Sequence, residues 1–211
     1  MSTARTTKTV TPDGASKTTR VPAAKPPALD DHRPRCVWAG ADLQMQAYHD
    51  TEWGKPVRDS RALWELLMLE GFQAGLAWIT VLHKREAFRK AFAGFNPTKV
   101  AKFGEADIAR MMGDAGIIRA RAKIAATILG AQIYCEMTRN GESFSDFIWS
   151  FTDGKTLRGD GVTRHVTTPL SEAMSKALKQ RGFKFVGPTI VYAFMQASGI
   201  VDDHEKGCFC R

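Results

Sequence analysis

Two cysteine–histidine pairs stand near opposite ends of this 211-residue chain: Cys36 and His49 with twelve residues between them, His204 and Cys208 with three. Two thiolates and two imidazoles are the donor set of a closed tetrahedral zinc site, which stabilises a fold rather than performing a reaction. More than 150 residues separate the pairs, so such a site would clip the two ends of a domain together. The alternatives are inert buried cysteines, a hydrogen-bonded core histidine at position 49, and Cys210 as the ligand in place of Cys208. Cys135, set among apolar residues, reads as core. His83 and His165 have no evident partner in the sequence.

A second group combines flat rings with carboxylates. Trp38, Tyr48, His49, Asp50, Glu52 and Trp53 fall together, and a further run goes from Glu70 to Trp78. Aromatic faces with one carboxylate suit a purine ring, and they attract it more strongly when the ring is cationic. Glu70 ends an apolar face made by Leu63, Leu66 and Leu67, so burial is expected to raise its pKa. The plainer alternative is that the tryptophans are core and Glu70 is an exposed helix end.

Residues 105–126 form a third unit. A short amphipathic helix ends at Gly113-Asp114, a tight turn carries Gly116, Ile117 and Ile118, and a second helix opens with Arg119, Arg121 and Lys123. Free N–H groups at a helix start point at an anion, and a glycine allows close approach of a phosphate backbone. On a purely structural helix three cations in the opening turn would oppose the dipole. An ordinary helical corner with a solvated basic face remains the other reading.

The elements that must position these groups are helical. Ser60 is placed to cap a helix ending near Glu70-Gly71; a turn and a basic amphipathic helix follow over 75–95, stopped by Asn96-Pro97. Further helices are expected over 105–113, 119–139, 143–150, 171–181 and 188–198, and a loop, with room for a short hairpin, over 152–169. The expected architecture is one all-α domain over about 36–211, divisible into two lobes with a cleft between them.

Composition bounds the rest. The chain carries 30 Lys+Arg against 22 Asp+Glu, a net charge of +8, with a pI near 9.5. No apolar run reaches the roughly 20 residues that span a bilayer, and four cysteines are too few for a disulfide scaffold. No signal-peptide apolar region is visible. These features imply a soluble intracellular protein whose basic balance permits a nucleic-acid partner. Residues 1–35 hold seven Thr, five of the nine Pro and no aromatic residue. They are expected to be a disordered basic tail, acting as a solubilising leader, a polyelectrolyte arm or a transit peptide.

Five runs in order closely resemble the DNA-3-methyladenine glycosylase I family of the helix-hairpin-helix superfamily: Ala47–Gly54, Leu69–Leu82, Asp114–Arg119, Ser175–Gly187 and Phe194–Gly199. The resemblance spans about Cys36 to Cys208. It implies an all-α helix-hairpin-helix DNA glycosylase fold with a structural zinc on Cys36, His49, His204 and Cys208, and no organic cofactor. It places the base pocket at Trp38, Tyr48, Trp53, Trp78 and Glu70, with Glu70 as the catalytic group. Gln73, Gly75 and Leu76 would enter the DNA, Leu76 as the wedge, while Gly116, Ile117, Ile118 and Arg119 would hold phosphate. The implied activity is monofunctional excision of 3-methyladenine from alkylated double-stranded DNA, leaving an abasic site. The implied setting is a cytoplasmic monomer with no membrane partner, which releases free 3-methyladenine.

Two departures stand out. Met45 replaces a pocket tyrosine of the family, which bears on lesion breadth. Ala120 occupies the place of the lyase lysine of bifunctional superfamily members, and no aspartate precedes Asp146 where the superfamily has its catalytic one. Both absences at the second helix argue against a Schiff-base lyase.

Overall fold

The computed structural model describes residues 32–211, so most of the basic tail expected over 1–35 lies outside the described residues. The helices are α1 (Leu43–Thr51), α2 (Ser60–Gln73), α3 (Trp78–Ala91), α4 (Pro97–Val100), α5 (Glu105–Met112), α6 (Arg121–Arg139), α7 (Phe144–Trp149), α8 (Pro169–Gln180) and α9 (Pro188–Ala197). Two two-residue strands, β1 (Leu157–Arg158) and β2 (Val201–Asp202), pair in parallel. The all-α expectation holds, and the helices over 105–113, 143–150, 171–181 and 188–198 lie within about two residues of their expected places.

Several local expectations are corrected. Asp59, not Ser60, caps α2, its carboxylate accepting from the Ala62 N–H at 2.8 Å. Ser60 is the first helical residue, and its hydroxyl accepts from the Ser145 N–H, tying α2 to α7. The helix continues to Gln73, so Glu70 sits inside a turn rather than at an end. The basic helix ends at Ala91, before Asn96-Pro97, which instead starts another: the Asn96 side chain caps α4, and Pro97 takes the first-turn position where a missing N–H costs nothing. Helix α6 begins at Arg121, which leaves Arg119 outside it. The segment 152–169 forms no hairpin. Its strand β1 pairs with β2 from the other side of α9, Leu157 opposite Val201. Cys135 is half-buried rather than core.

Helix α1 was not expected from periodicity. Its buried residues are Met45, Tyr48, His49 and Asp50, a face too polar to register as an apolar stripe. The main core is built around Trp64, Phe72, Phe88, Phe92, Phe95, Phe144, Phe183 and Phe194, all fully buried. A smaller cluster joins the two ends of the described chain: Cys36, Met45, Tyr48, Trp53, Leu82, Ala197 and Cys208, with Trp38, Trp78, Ile79 and Cys210 packed against it. The Phe209 N–H donates to the Pro34 carbonyl at 2.9 Å, and Glu205 accepts from the Val37 N–H at 2.9 Å. The chain ends are thus held side by side, and the candidate sites lie where they meet.

Candidate base pocket and metal cluster

Helix α1 places consecutive residues in two environments: Tyr48 lines a cavity while His49 enters the cysteine–histidine cluster. The cavity holds about 270 Å³. Trp38, Tyr48, Trp53, Glu70, Gln73 and Trp78 line it, together with the loop 161–165, Gln196, Asp203 and Glu205. The structure therefore brings together all five expected pocket residues. Trp38 and Trp53 meet edge-on with centroids 4.9 Å apart, and Tyr48 and Trp78 are tilted at 5.4 Å. Met45 packs in the adjoining cluster and does not line the cavity.

Glu70 is the unusual member. It is 2% exposed, and its Oε2 has no hydrogen-bond partner. Burial alone pushes its pKa up to about 8, so the empty pocket favours the protonated acid at neutral pH. The buried Trp78 Nε1 likewise lacks an acceptor. Buried polar atoms are normally paired, so an unpaired donor and acceptor on one cavity mark a place for a polar guest.

The rest of the lining was not visible from the sequence. Asp203 is held through Oδ2 by the Tyr192 hydroxyl at 2.5 Å and the Gln196 amide at 2.8 Å. His165 does have a partner, standing edge-on to Tyr192 at 6.3 Å. Pairing of β1 with β2 brings this loop to the pocket, a long-range event with no local signal. His83, also expected to be alone, bonds Asp42 at 3.1 Å.

In the cluster, ligand atoms of His49, His204, Cys208 and Cys210 lie within 4.8 Å of one another. Cys36, expected as a ligand, falls outside that set and Cys210 stands in it; the Cys36 thiol lies against Cys208 and is pushed up to about 12 by burial. Each imidazole is oriented by a carboxylate. His49 Nδ1 bonds Asp50 at 2.7 Å, and His204 Nδ1 bonds Asp202 at 2.7 Å. The Cys36 N–H donates to His49 Nε2, which fixes that ring with its proton on Nδ1. Burial lowers the His49 pKa and favours the neutral ligand form. His204 Nε2 is buried with no partner at all. Carboxylate-backed imidazoles beside thiols, with the His204 Nε2 lone pair free, are a donor set that could hold a soft divalent metal. Two sulfurs accept backbone N–H groups, Cys36 from Glu205 and Cys208 from Cys210, as thiolate ligands do.

The loop after α2 turns sharply. Gly75 has φ +81°, a conformation that favours glycine, and the Leu76 N–H donates to the Gln73 carbonyl at 2.6 Å. Leu76 is left 44% exposed beside the pocket mouth that Gln73 lines.

Between α5 and α6 the hairpin is internally braced. The Gly116 N–H donates to Asp114 Oδ1 at 2.7 Å, and a Cβ at Gly116 would lie 2.9 Å from that oxygen and 3.2 Å from Ala87. Packing, rather than the approach of an outside group, thus requires this glycine. Lys84 of α3 donates to the carbonyls of Ala115 and Gly116 at 2.9 and 3.3 Å. Ile117 is buried and anchors the turn. Among the described residues, the N–H groups of Ile118, Arg119, Arg121 and Ala122 carry no hydrogen-bond partner. The three cations part ways. Arg119 is exposed without an ion pair among the described residues, Arg121 pairs with Glu105, and Lys123 points back to α2.

Residues 38–211 match the family described as methyladenine glycosylase. An Escherichia coli (strain K12) protein named DNA-3-methyladenine glycosylase 1 is 52% identical over 179 residues, covering 83% of this chain and 96% of that protein. A crystal structure of a 3-methyladenine DNA glycosylase I superposes with a TM-score of 0.83 at 51% identity, covering 84% of this chain and all of that one. A Staphylococcus aureus structure, described as the basis of 3-methyladenine recognition by its glycosylase I, gives a TM-score of 0.80 at 40% identity. It covers 83% of this chain and 95% of that one.

Proposed function

The chain belongs to the methyladenine glycosylase family, and from that premise we propose that it excises 3-methyladenine from alkylated duplex DNA and leaves an abasic site. The observation that carries this reading is the buried, unpartnered Glu70 carboxyl in a cavity walled by Trp38, Tyr48, Trp53 and Trp78. A volume of about 270 Å³ suits one planar base rather than a whole nucleotide.

Methylation at N3 makes the base cationic and hence a good leaving group. The C1′–N9 bond breaks through an oxocarbenium-like state, the bonding pair leaves with the base, and water adds at C1′ and releases a proton to solvent. The protein supplies extraction and capture. The lesion pairs poorly, which lowers the cost of flipping. Leu76 fills the gap in the stack, and Trp38, Tyr48, Trp53 and Trp78 hold the base. As a cation enters, Glu70 gives its proton to solvent, and the carboxylate pairs with the charged ring and its exocyclic amine. Neutral adenine offers no such compensation for the buried charge, so the same carboxylate rejects the normal base. Once the bond is broken the base is neutral, the attraction falls and the product is released.

For DNA, the exposed N–H groups of Ile118 and Arg119 and the opening turn of α6 receive a phosphate, with the Arg119 side chain beside them. Arg121 and Lys123, engaged within the protein, are not assigned to this contact. Gly116 and Ile117 shape the turn, and Gln73, Gly75 and Leu76 present the wedge.

For the cluster, the orphaned His204 Nε2, the carboxylate-backed rings and the N–H-bonded sulfurs support a structural zinc on Cys36, His49, His204 and Cys208. Cys210, whose sulfur accepts no such bond, stands beside the set. When bound, a metal there would cross-link the two ends of the described chain and so steady Trp38 and Trp53, which pack beside the cluster. The reaction itself uses no organic cofactor. The protein works as a monomer in the cytoplasm, and no described helix is long and apolar enough to cross a membrane.

Titration with free 3-methyladenine, followed by tryptophan fluorescence, tests the pocket. Saturable quenching is expected, weakened but not abolished by Glu70→Ala, because the free base is neutral and is held mainly by the rings. No binding would leave a helical DNA-binding module without a base site.

A further inference from the structure

We propose that Lys123 is the positioning residue of the wedge, a tether through which helix α6 holds the end of α2 and the turn that presents Leu76. This rests on the glycosylase reading above. The Lys123 ammonium donates to the Phe72 carbonyl at 2.9 Å and the Ala74 carbonyl at 2.7 Å. These are orphan carbonyls at the C-terminus of α2, where a cation meets both the free acceptors and the negative end of the helix dipole. No carboxylate pairs with Lys123 among the described residues. Its own place, in the first turn of α6, is unfavourable for a cation, so that charge is compensated from outside its helix, chiefly by the α2 carbonyls.

The contact is built rather than incidental. Phe185 places its ring 5.9 Å from the ammonium. It does so with φ +56°, a conformation costly for a bulky side chain. Gly71 of α2 lies against it: a Cβ there would stand 3.5 Å from the Phe185 Cβ, an ordinary van der Waals contact. Three segments thus converge on the two residues that lead into Gly75 and Leu76. Helix α6 is also the element whose start faces the phosphate. A phosphate bound at its N-terminus and a leucine in the stack are therefore fixed relative to each other through one side chain. Lys123 touches neither base nor sugar, and its effect passes entirely through Leu76.

The test uses the full chain with Lys123→Met and Lys123→Arg, alone and in a Leu76→Ala background. Lys123→Met is expected to slow single-turnover release of 3-methyladenine from methylated duplex roughly 10- to 100-fold, as befits two lost charged hydrogen bonds. The affinity for free 3-methyladenine stays within about twofold, because the pocket is untouched, and Lys123→Arg recovers most of the rate. In the Leu76→Ala background Lys123→Met costs less than about twofold more. Amide exchange at residues 74–76 of the free protein speeds up, while the turn around Glu70 keeps its protection.

Unchanged duplex excision, a full additive loss without Leu76, or unchanged exchange at 74–76 would each overturn the proposal. So would a parallel loss of free-base binding and thermal stability, which marks a merely structural lysine. A wild type that releases no base would sink the glycosylase reading alone. The exchange result would still decide whether Lys123 holds the turn.

Discussion

The cysteine–histidine cluster and the aromatic cavity share a wall, since Trp53 stands 4.8 Å from His204 on one side and lines the cavity on the other. Both bury polar groups, but they treat them differently. In the cluster each imidazole has a carboxylate behind it and each of two sulfurs has a backbone N–H. In the cavity Glu70 has neither, and burial with nothing to offset it raises its pKa to about 8. A supporting shell fixes groups for a permanent resident. An unsupported carboxylate leaves its desolvation uncompensated, so the arriving guest supplies the compensation and is selected by charge. The same contrast separates what holds the fold from what distinguishes the substrate.

Breaking the cluster should give the largest effect. Cys36→Ser is expected to lose the bound metal and lower Tm by roughly 10 °C or more, with activity falling only as the protein melts. Cys210→Ser should keep both metal and Tm. Metal analysis with calorimetry checks this, and the reverse pattern would move the fourth ligand to Cys210.

Next is Glu70→Ala, expected to lower excision about 100-fold or more while DNA affinity changes little. Base release and a binding titration separate the two quantities.

The contrast also predicts a stability effect of opposite sign to the first. Glu70 is an acid whose folded pKa, about 8, lies above its ordinary 4.5. The folded state therefore holds the proton more tightly, and stability is lost as pH rises from about 4.5 to about 8. Glu70→Gln removes that cost. It should be more stable than the wild type by on the order of 3 kcal/mol at pH 7 and equal to it near pH 4.5. Denaturant unfolding at the two pH values reads the difference, and equal stabilities at pH 7 would place a partner on Glu70.

The smallest effect is expected at the hairpin. Arg119→Ala should weaken DNA binding uniformly across sequences and reduce the salt slope by about one, without changing free-base affinity.

Much of this was legible in the residues. His49, His204 and Cys208, the pocket tryptophans and Glu70 could be named because their types are rare and their runs family-like, whereas spacing favours Cys36 over Cys210, the cysteine that lies in the set. Helix α1 was hidden because its inner face is Tyr48, His49 and Asp50, which bury for the site and not for the core. Asp203 and His165 were hidden because a two-residue parallel pairing across α9 brings their segments to the cavity. Lys123 was seen as an oddly placed cation, and that oddity was attributed to phosphate. Only the fold shows the α2 carbonyls that take its charge.

The most direct measurement incubates the wild type and Glu70→Gln with methylated duplex DNA and separates the released bases by chromatography. The wild type is expected to release 3-methyladenine with no strand cleavage, and Glu70→Gln to do so at least about 100-fold more slowly despite its greater stability. Wild-type rates from Glu70→Gln, or DNA binding by the wild type with no base released, would contradict the account.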